Sequence, residues 1–132
     1  MRGLLDTDSC IYALNGNAAL LERLRAHGRR DLFVSAITEA ELRVGAAKSS
    51  KPVKMLRILQ RFLSAFEIAE FNSEDVAAYA DVRAKLERAG TPIGPLDTLI
   101  AAQAMARGLT LVSNNEREFC RIGGLRLENW TT

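Results

Sequence analysis

The sequence has a single histidine, His27, and only two cysteines, Cys10 and Cys120, set far apart. One imidazole cannot supply the acid and base of a two-histidine nuclease, nor the ligands of a multi-histidine zinc site. Cysteines outside any C-x-x-C pattern make neither a zinc ribbon nor a disulfide framework, so both thiols are expected to be free and buried. No stretch approaches the roughly 20 apolar residues of a membrane span. The opening Met1-Arg2-Gly3-Leu4-Leu5-Asp6 meets charge too early for the apolar core of a signal peptide. No membrane association and a reducing cytoplasm are the expectation. Charge of one sign is also missing: 18 Lys+Arg against 16 Asp+Glu leave +2, without the overall basic field of a typical nucleic-acid binder. What is present, 48% hydrophobic and 26% charged residues over 132 positions, describes one ordinary globular domain spanning 1–132. Hydrolytic chemistry in such a chain must rest on carboxylates.

Short apolar runs alternate with amphipathic stretches. Strands are predicted at 3–6, 32–34, 68–71 and 109–113, with an edge strand at 125–128. Helices are predicted at 9–14, 18–26, 38–48, 53–66, from the cap Ser73 to 89, at 95–107 and at 116–121, punctuated by Asn15-Gly16-Asn17, Gly28, Ser49-Ser50-Lys51-Pro52, Gly90 and Gly108. In the helix after Pro52, Met55, Ile58, Leu59, Phe62, Leu63 and Phe66 share one arc, with Lys54, Arg57 and Arg61 opposite. This rhythm specifies an α/β fold with a parallel sheet covered on both faces, whose sites form beyond the carboxyl ends of the strands. That rim would hold Asp6, Thr7, Asp8, Ser35, Ser113, Asn114 and Asn115.

Each candidate has a plain structural reading. Asp6 can cap the next helix as an Asx turn, Thr38-x-x-Glu41 can be a capping box, and Asp97 can offset a helix macrodipole. Ser113-Asn114-Asn115 can cap the helix beginning at Glu116. Together they place acid or amide groups at two strand ends and near two helix starts. Carboxylates gathered on one rim repel one another unless a cation lies between them. Oxygen ligands select Mg²⁺ or Mn²⁺, and that combination suits phosphodiester hydrolysis.

Leu5-Asp6-Thr7-Asp8, Glu41-Leu42-Arg43-Val44-Gly45, Gly94-Pro95-Leu96-Asp97, Ser113-Asn114-Asn115-Glu116-Arg117-Glu118-Phe119 and the closing Gly124 to Trp130 resemble, in order and spacing, the successive signatures of PIN-domain ribonucleases. The similarity is greatest to the VapC toxins of VapBC toxin–antitoxin modules. It implies a three-layer sandwich around a mainly parallel sheet of about five strands, with the first and fourth side by side. It also implies Asp6 and Asp97 as Mg²⁺ ligands, Mn²⁺ being a substitute, and Glu41 as the third acid. Asn115 stands where the family has Asp or Asn; an amide is no base, so it would position water or substrate, with Glu118 restoring charge. Ser113 would hydrogen-bond within the cluster. Asp8 stands where relatives commonly carry Asn.

The implied activity is that of a metal-dependent endoribonuclease cutting structured RNA, tRNA above all, and so inhibiting translation. The implied partner is a VapB antitoxin whose tail wraps the toxin and places a basic side chain in the acidic pocket. Leu14, Leu20, Leu21 and Leu24 are candidates for its groove. A homodimer within a larger complex is expected, with operator DNA contacted only through the antitoxin. Between Glu41 and Glu67 there is no acid, yet Arg43, Lys48, Lys51, Lys54, Arg57 and Arg61 all fall there, a stripe able to guide phosphates but without aromatic platforms for base stacking.

Two rivals remain. Asp6-Thr7-Asp8 resembles the D-x-D of a haloacid-dehalogenase-type phosphatase, but no lysine follows Lys85 and no late acid pair exists; a signalling receiver domain fails on the same missing lysine. The other is a PIN-fold RNA- or protein-binding module that has lost cleavage. Asn115 favours it, and Asp6, Glu41 and Asp97 oppose it.

Overall fold

The computed structural model describes the backbone of residues 1–132 and every side chain except that of Arg29. Strands β1 (Gly3–Leu5), β2 (Leu32–Ser35), β3 (Glu67–Ala69), β4 (Thr110–Val112) and β5 (Leu127–Glu128) alternate with helices α1 (Thr7–Leu14), α2 (Ala18–Ala26), α3 (Ala36–Lys48), α4 (Pro52–Leu63), α5 (Ser73–Arg88), α6 (Pro95–Ala106) and α7 (Glu116–Phe119). A 3₁₀ turn at Arg29–Asp31 leads into β2. The five strands form one sheet in the order β3-β2-β1-β4-β5, every pairing parallel. The chain winds outward from β1 through β2 and β3, then crosses to the other side for β4 and β5. The winding direction therefore changes between β1 and β4, where Leu5 pairs with Val112.

The period of two along a strand divides the core. Leu5, Val34 and Val112 face Cys10, Ala13, Leu20, Leu42, Ala46, Leu59, Leu63 and Trp130, from α1 to α4 and the C-terminal segment. Leu4, Phe33 and Leu111 face Val82, Leu86, Ile100, Ala104 and Phe119, from α5 to α7. These are the three layers expected from the βα rhythm. Among the described residues no helix is long and apolar enough to cross a membrane.

Several boundaries differ from the sequence reading because side chains intervene. Helix α3 starts two residues before Thr38, capped by Ser35, whose hydroxyl accepts from the Ile37 N–H. Thr38 and Glu41 are therefore inside the helix and form no capping box. Helix α5 is capped by Asn72 rather than Ser73, with Asp75 closing a capping box on the Asn72 N–H. Helix α4 begins on Pro52, which needs no donor there, and ends at Leu63 before a turn carries Phe66 back to the core. Strand β3 stops at Ala69 because side chains of α6 and its C-cap take the next acceptors: Gln103 Nε2 donates to the carbonyls of Ala69 and Glu70, and Arg107 also donates to Glu70. Arg107 pairs with the buried Asp75 at 3.0 Å. Burial pushes the Asp75 carboxyl up, but the Arg107 and Asn72 hydrogen bonds outweigh it and hold it below the usual range. Gly90 and Gly108 end α5 and α6 at φ +72° and +65°, which side chains rarely tolerate.

Cys10 is buried as expected, whereas Cys120 is exposed, because it caps the single turn of α7 from outside the core. Of the four leucines considered for a partner groove, Leu20, Leu21 and Leu24 belong to the core instead, and only Leu14 is exposed.

Candidate active site

β1 ends at Leu5 and β4 at Val112, paired in register, so Asp6 and Ser113 emerge side by side at the topological switch point. The Asp6 N–H donates to the Val112 carbonyl at 3.0 Å and the Ser9 hydroxyl to the same carbonyl at 2.9 Å, tying α1 to β4. Asp6 caps α1, its Oδ1 accepting from the Ser9 N–H at 2.8 Å. The Asx-turn reading of Asp6 is thus correct and compatible with a second role. Burial pushes its carboxyl above the usual range, and hydrogen bonds from Ser113 and Ser9 counter only part of that.

Asp97 lies in the first turn of α6, which opens on Pro95 and is held by the Thr98 hydroxyl donating to the Gly94 carbonyl at 2.8 Å. Partial burial and the neighbouring carboxylates of Asp6, Asp8, Glu41 and Glu118 push it up to about 6. One carboxyl feels all four others, so strands β1 and β4 and helices α1, α3, α6 and α7 converge on one acidic rim.

Glu41 projects from mid-α3, a helix the buried Leu42 and Ala46 pack against the core. Its Oε1 accepts from the Thr7 hydroxyl at 2.7 Å, and Thr7 Oγ1 lies 3.1 Å from Oγ1 of the fully buried Thr38. A hydroxyl has one proton. With that of Thr7 on Glu41, the Thr38 hydroxyl can donate to Thr7, and the chain Thr38–Thr7–Glu41 fixes the carboxylate between α1 and α3. Thr7 was visible on the predicted rim. Its contact with Glu41 depends on how two helices lie together, which no local pattern reports.

Asn115 starts α7 without a side-chain cap; its Nδ2 donates to Glu118 Oε2 at 3.3 Å, and Ser113 Oγ accepts from the Asn115 N–H at 2.9 Å. The Ser113-Asn114-Asn115 segment therefore shapes the turn through Ser113, leaving the Asn115 amide in the cluster. Asp8 is exposed on the first turn of α1.

All the donors are hard oxygens or an amide, the set a divalent hard cation takes. Their mutual repulsion, felt by Asp97, is what such a cation would relieve. Among the described residues no three acidic, His or Cys side chains close into a ready-made metal cage.

A groove of about 520 Å³ opens from this rim, walled by Thr7, Asp8 and Glu41 at one end and by Ile11, Leu14, Met55 and Ile58 along its length. The apolar arc of α4 is thus shared: Leu59 and Leu63 are buried, and Met55 and Ile58 line the groove.

A parallel sheet with this strand order and acidic side chains at its switch point defines a class of α/β protein with a carboxylate-lined rim. The PIN domain model matches residues 3–125. The chain is 37% identical over 132 residues to the tRNA(fMet)-specific endonuclease VapC of Shigella flexneri, covering 99% of each, and 40% identical over 134 residues to ribonuclease VapC2 of Rickettsia felis, covering 96% of each. Its fold superposes with a TM-score of 0.94 on a chain of the DNA-bound VapBC crystal structure from Salmonella typhimurium, at 38% identity and 98% coverage of both. The chain belongs to the PIN-domain family, among the VapC ribonucleases of VapBC toxin–antitoxin systems.

Proposed function

We propose that this VapC-family ribonuclease is a Mg²⁺-dependent endoribonuclease that cuts tRNA, inhibits translation in the cytoplasm and is silenced by a VapB-type antitoxin. The observation that carries the metal dependence is the Asp97 carboxyl, raised to about 6 by burial and four neighbouring acids, a charge arrangement that asks for a cation. Asp6 and Asp97 would hold Mg²⁺, or Mn²⁺ in its place, and the ion would supply an activated water and charge neutralisation at the scissile phosphate. Glu41, whose carboxylate accepts from Thr7, would orient or deprotonate the attacking water. Asn115 donates from Nδ2 to Glu118 and keeps its amide oxygen as an acceptor for water or substrate. The named relative from Shigella flexneri acts on tRNA(fMet), which makes that tRNA the first substrate to try.

The groove between α1 and α4 suits an antitoxin tail, apolar along Ile11, Leu14, Met55 and Ile58 and acidic at the end where a basic side chain would enter. Operator DNA would be contacted through that partner, in keeping with the DNA-bound Salmonella typhimurium complex. Purified protein freed of antitoxin should cleave initiator tRNA with Mg²⁺ or Mn²⁺ and stop when chelator is added. Cleavage that persists in chelator, or none with any divalent ion, would overturn the proposal in favour of a binding module.

Thr7→Val, nearly isosteric, should lower kcat by about tenfold and leave KM for RNA unchanged, because the lost hydrogen bond orients Glu41 rather than the substrate. Thr7→Ser should restore most of the rate. A Thr7→Val enzyme with normal kcat would remove the positioning role.

A further inference from the structure

The geometry points to the outer face of α4 as a rail for the phosphate backbone of the RNA substrate, running from Lys51 across Lys54, Arg57 and Arg61 and entering the active-site groove over Ile58; this rests on the nuclease reading above. Lys51, Lys54, Arg57 and Arg61, with Pro52, Val53 and Ile58, line an open trough of about 540 Å³. Ile58 lines both this trough and the groove that ends at Asp8 and Glu41, so the two depressions meet along one side chain. The spacing of the cations, three, three and four residues, keeps them on one side of the helix over roughly 15 Å.

Structural needs do not explain these charges. Several basic side chains elsewhere are engaged, Arg43 with Glu39, Arg83 with Glu87, Lys85 with Asp81 and Arg107 with Asp75, whereas Arg25 and Arg88, with no ion pair among the described residues, stand apart from any such row. Among the described residues, Lys51, Lys54, Arg57 and Arg61 form no ion pair with any acid. Two of them stand at the start of α4, where the helix dipole disfavours cations; the first turn has no acid and Lys51 gives no capping bond. A helix that breaks its own electrostatic preference beside a catalytic rim is consistent with a charge kept for a ligand. The row of four cations along an open trough, whose floor is made by their aliphatic stems with Pro52, Val53 and Ile58, fits a polyanionic strand. A trough that tracks a backbone without aromatic side chains would grip phosphates regardless of base.

The test replaces Lys54, Arg57 and Arg61 together by Gln in the full chain and compares it with a control in which Arg25, Lys85 and Arg88, exposed elsewhere, are replaced by Gln. Binding of a fluorescent tRNA transcript is followed by anisotropy across a salt series in an Asp97→Asn background, and cleavage is followed in chains with Asp97 intact. The rail variant should bind on the order of 10–100-fold more weakly at 0.1 M salt, and its log affinity against log salt should flatten by about 2, from about 0.7 per lost contact. Its KM should rise by the same factor with kcat unchanged, and the control should behave as the parent. Equal losses in variant and control, or an unchanged salt slope, would overturn the proposal. So would a variant that keeps RNA affinity but loses binding to poly-glutamate, which would assign the face to an acidic protein partner. Failure of the unsubstituted chain to cleave counts against the nuclease reading alone, since the anisotropy measurement requires no chemistry.

Discussion

Asp97→Asn should reduce RNA cleavage by on the order of 10²–10³-fold, as expected when a group that stabilises developing charge is removed, while making the metal-free protein more stable. Both effects come from one feature. Burial and the carboxylates of Asp6, Asp8, Glu41 and Glu118 raise Asp97 to about 6 from 3.8, so its ionised form is disfavoured in the fold. Between about pH 4 and 6 the folded chain therefore binds more protons than the unfolded one, and stability from this group falls as pH rises through that window. Above pH 6 the unfavourable contribution is complete. Asp97 is only partly buried, and solvent screening reduces the shift to about 1 kcal/mol of stability. Urea titrations without metal should show Asp97→Asn more stable than the parent at pH 7 and nearly equal to it at pH 4. Added Mg²⁺ should stabilise the parent and leave the variant unmoved, because a ligand that binds the native state raises its apparent stability. Cleavage within tenfold of the parent would remove Asp97 from the chemistry. A variant no more stable at pH 7 would refute the repulsion on which the metal argument rests.

Trp130→Ala should cost about 3–5 kcal/mol, the range for deleting a large buried aromatic side chain. Trp130 is 1% exposed and packs among Leu20, Cys10 and Ala13, closing the layer formed by α1 to α4. Its indole N–H donates to Glu128 Oε1 at 3.0 Å, and its ring stacks on His27 with centroids 4.7 Å apart. The single histidine is thus spent on packing next to Trp130, and its Nδ1 lies 2.7 Å from the Arg23 carbonyl. Against a total stability of about 5–15 kcal/mol, the loss should be plain as a lower urea midpoint. Trp130→Phe, which keeps most of the volume, should recover much of it. A midpoint unchanged in Trp130→Ala would mean that the C-terminal segment contributes little to the core.

Much of this was legible in local pattern. Leu4 and Leu5 followed by Asp6 specify a buried strand ending on a carboxylate because a parallel strand covered on both faces must be apolar up to its end. Gly94-Pro95 before Asp97 predicts a helix start within one residue because proline at N1 loses no hydrogen bond. The errors lie where a side chain outside the predicted element completes a backbone bond, whether far along the chain or just before it. Gln103 and Arg107 cut β3 short of Phe71, and Ser35, rather than Thr38, caps α3. The apolar arc of α4 is a true face, but two of its residues, Met55 and Ile58, are exposed and line a groove. Periodicity reports that a face is apolar and cannot say what covers it.

The sequence by itself determined the layer order, the nearly neutral total and the turn to carboxylate chemistry. These follow from residue types and spacings, and a chain with one histidine has few alternatives. It also revealed that the +2 is an average, with 11 Lys+Arg against 6 Asp+Glu in residues 1–66 and 7 against 10 in residues 67–132. Only the tertiary structure decided that Asp6, Glu41 and Asp97, spread over more than 90 positions, act on one another, that Thr7 holds Glu41, and that Ile58 joins the basic trough to the acidic groove. Electrostatic and hydrogen-bond energies depend on distance in space, and distance in space between residues far apart in the chain is set by how the layers pack.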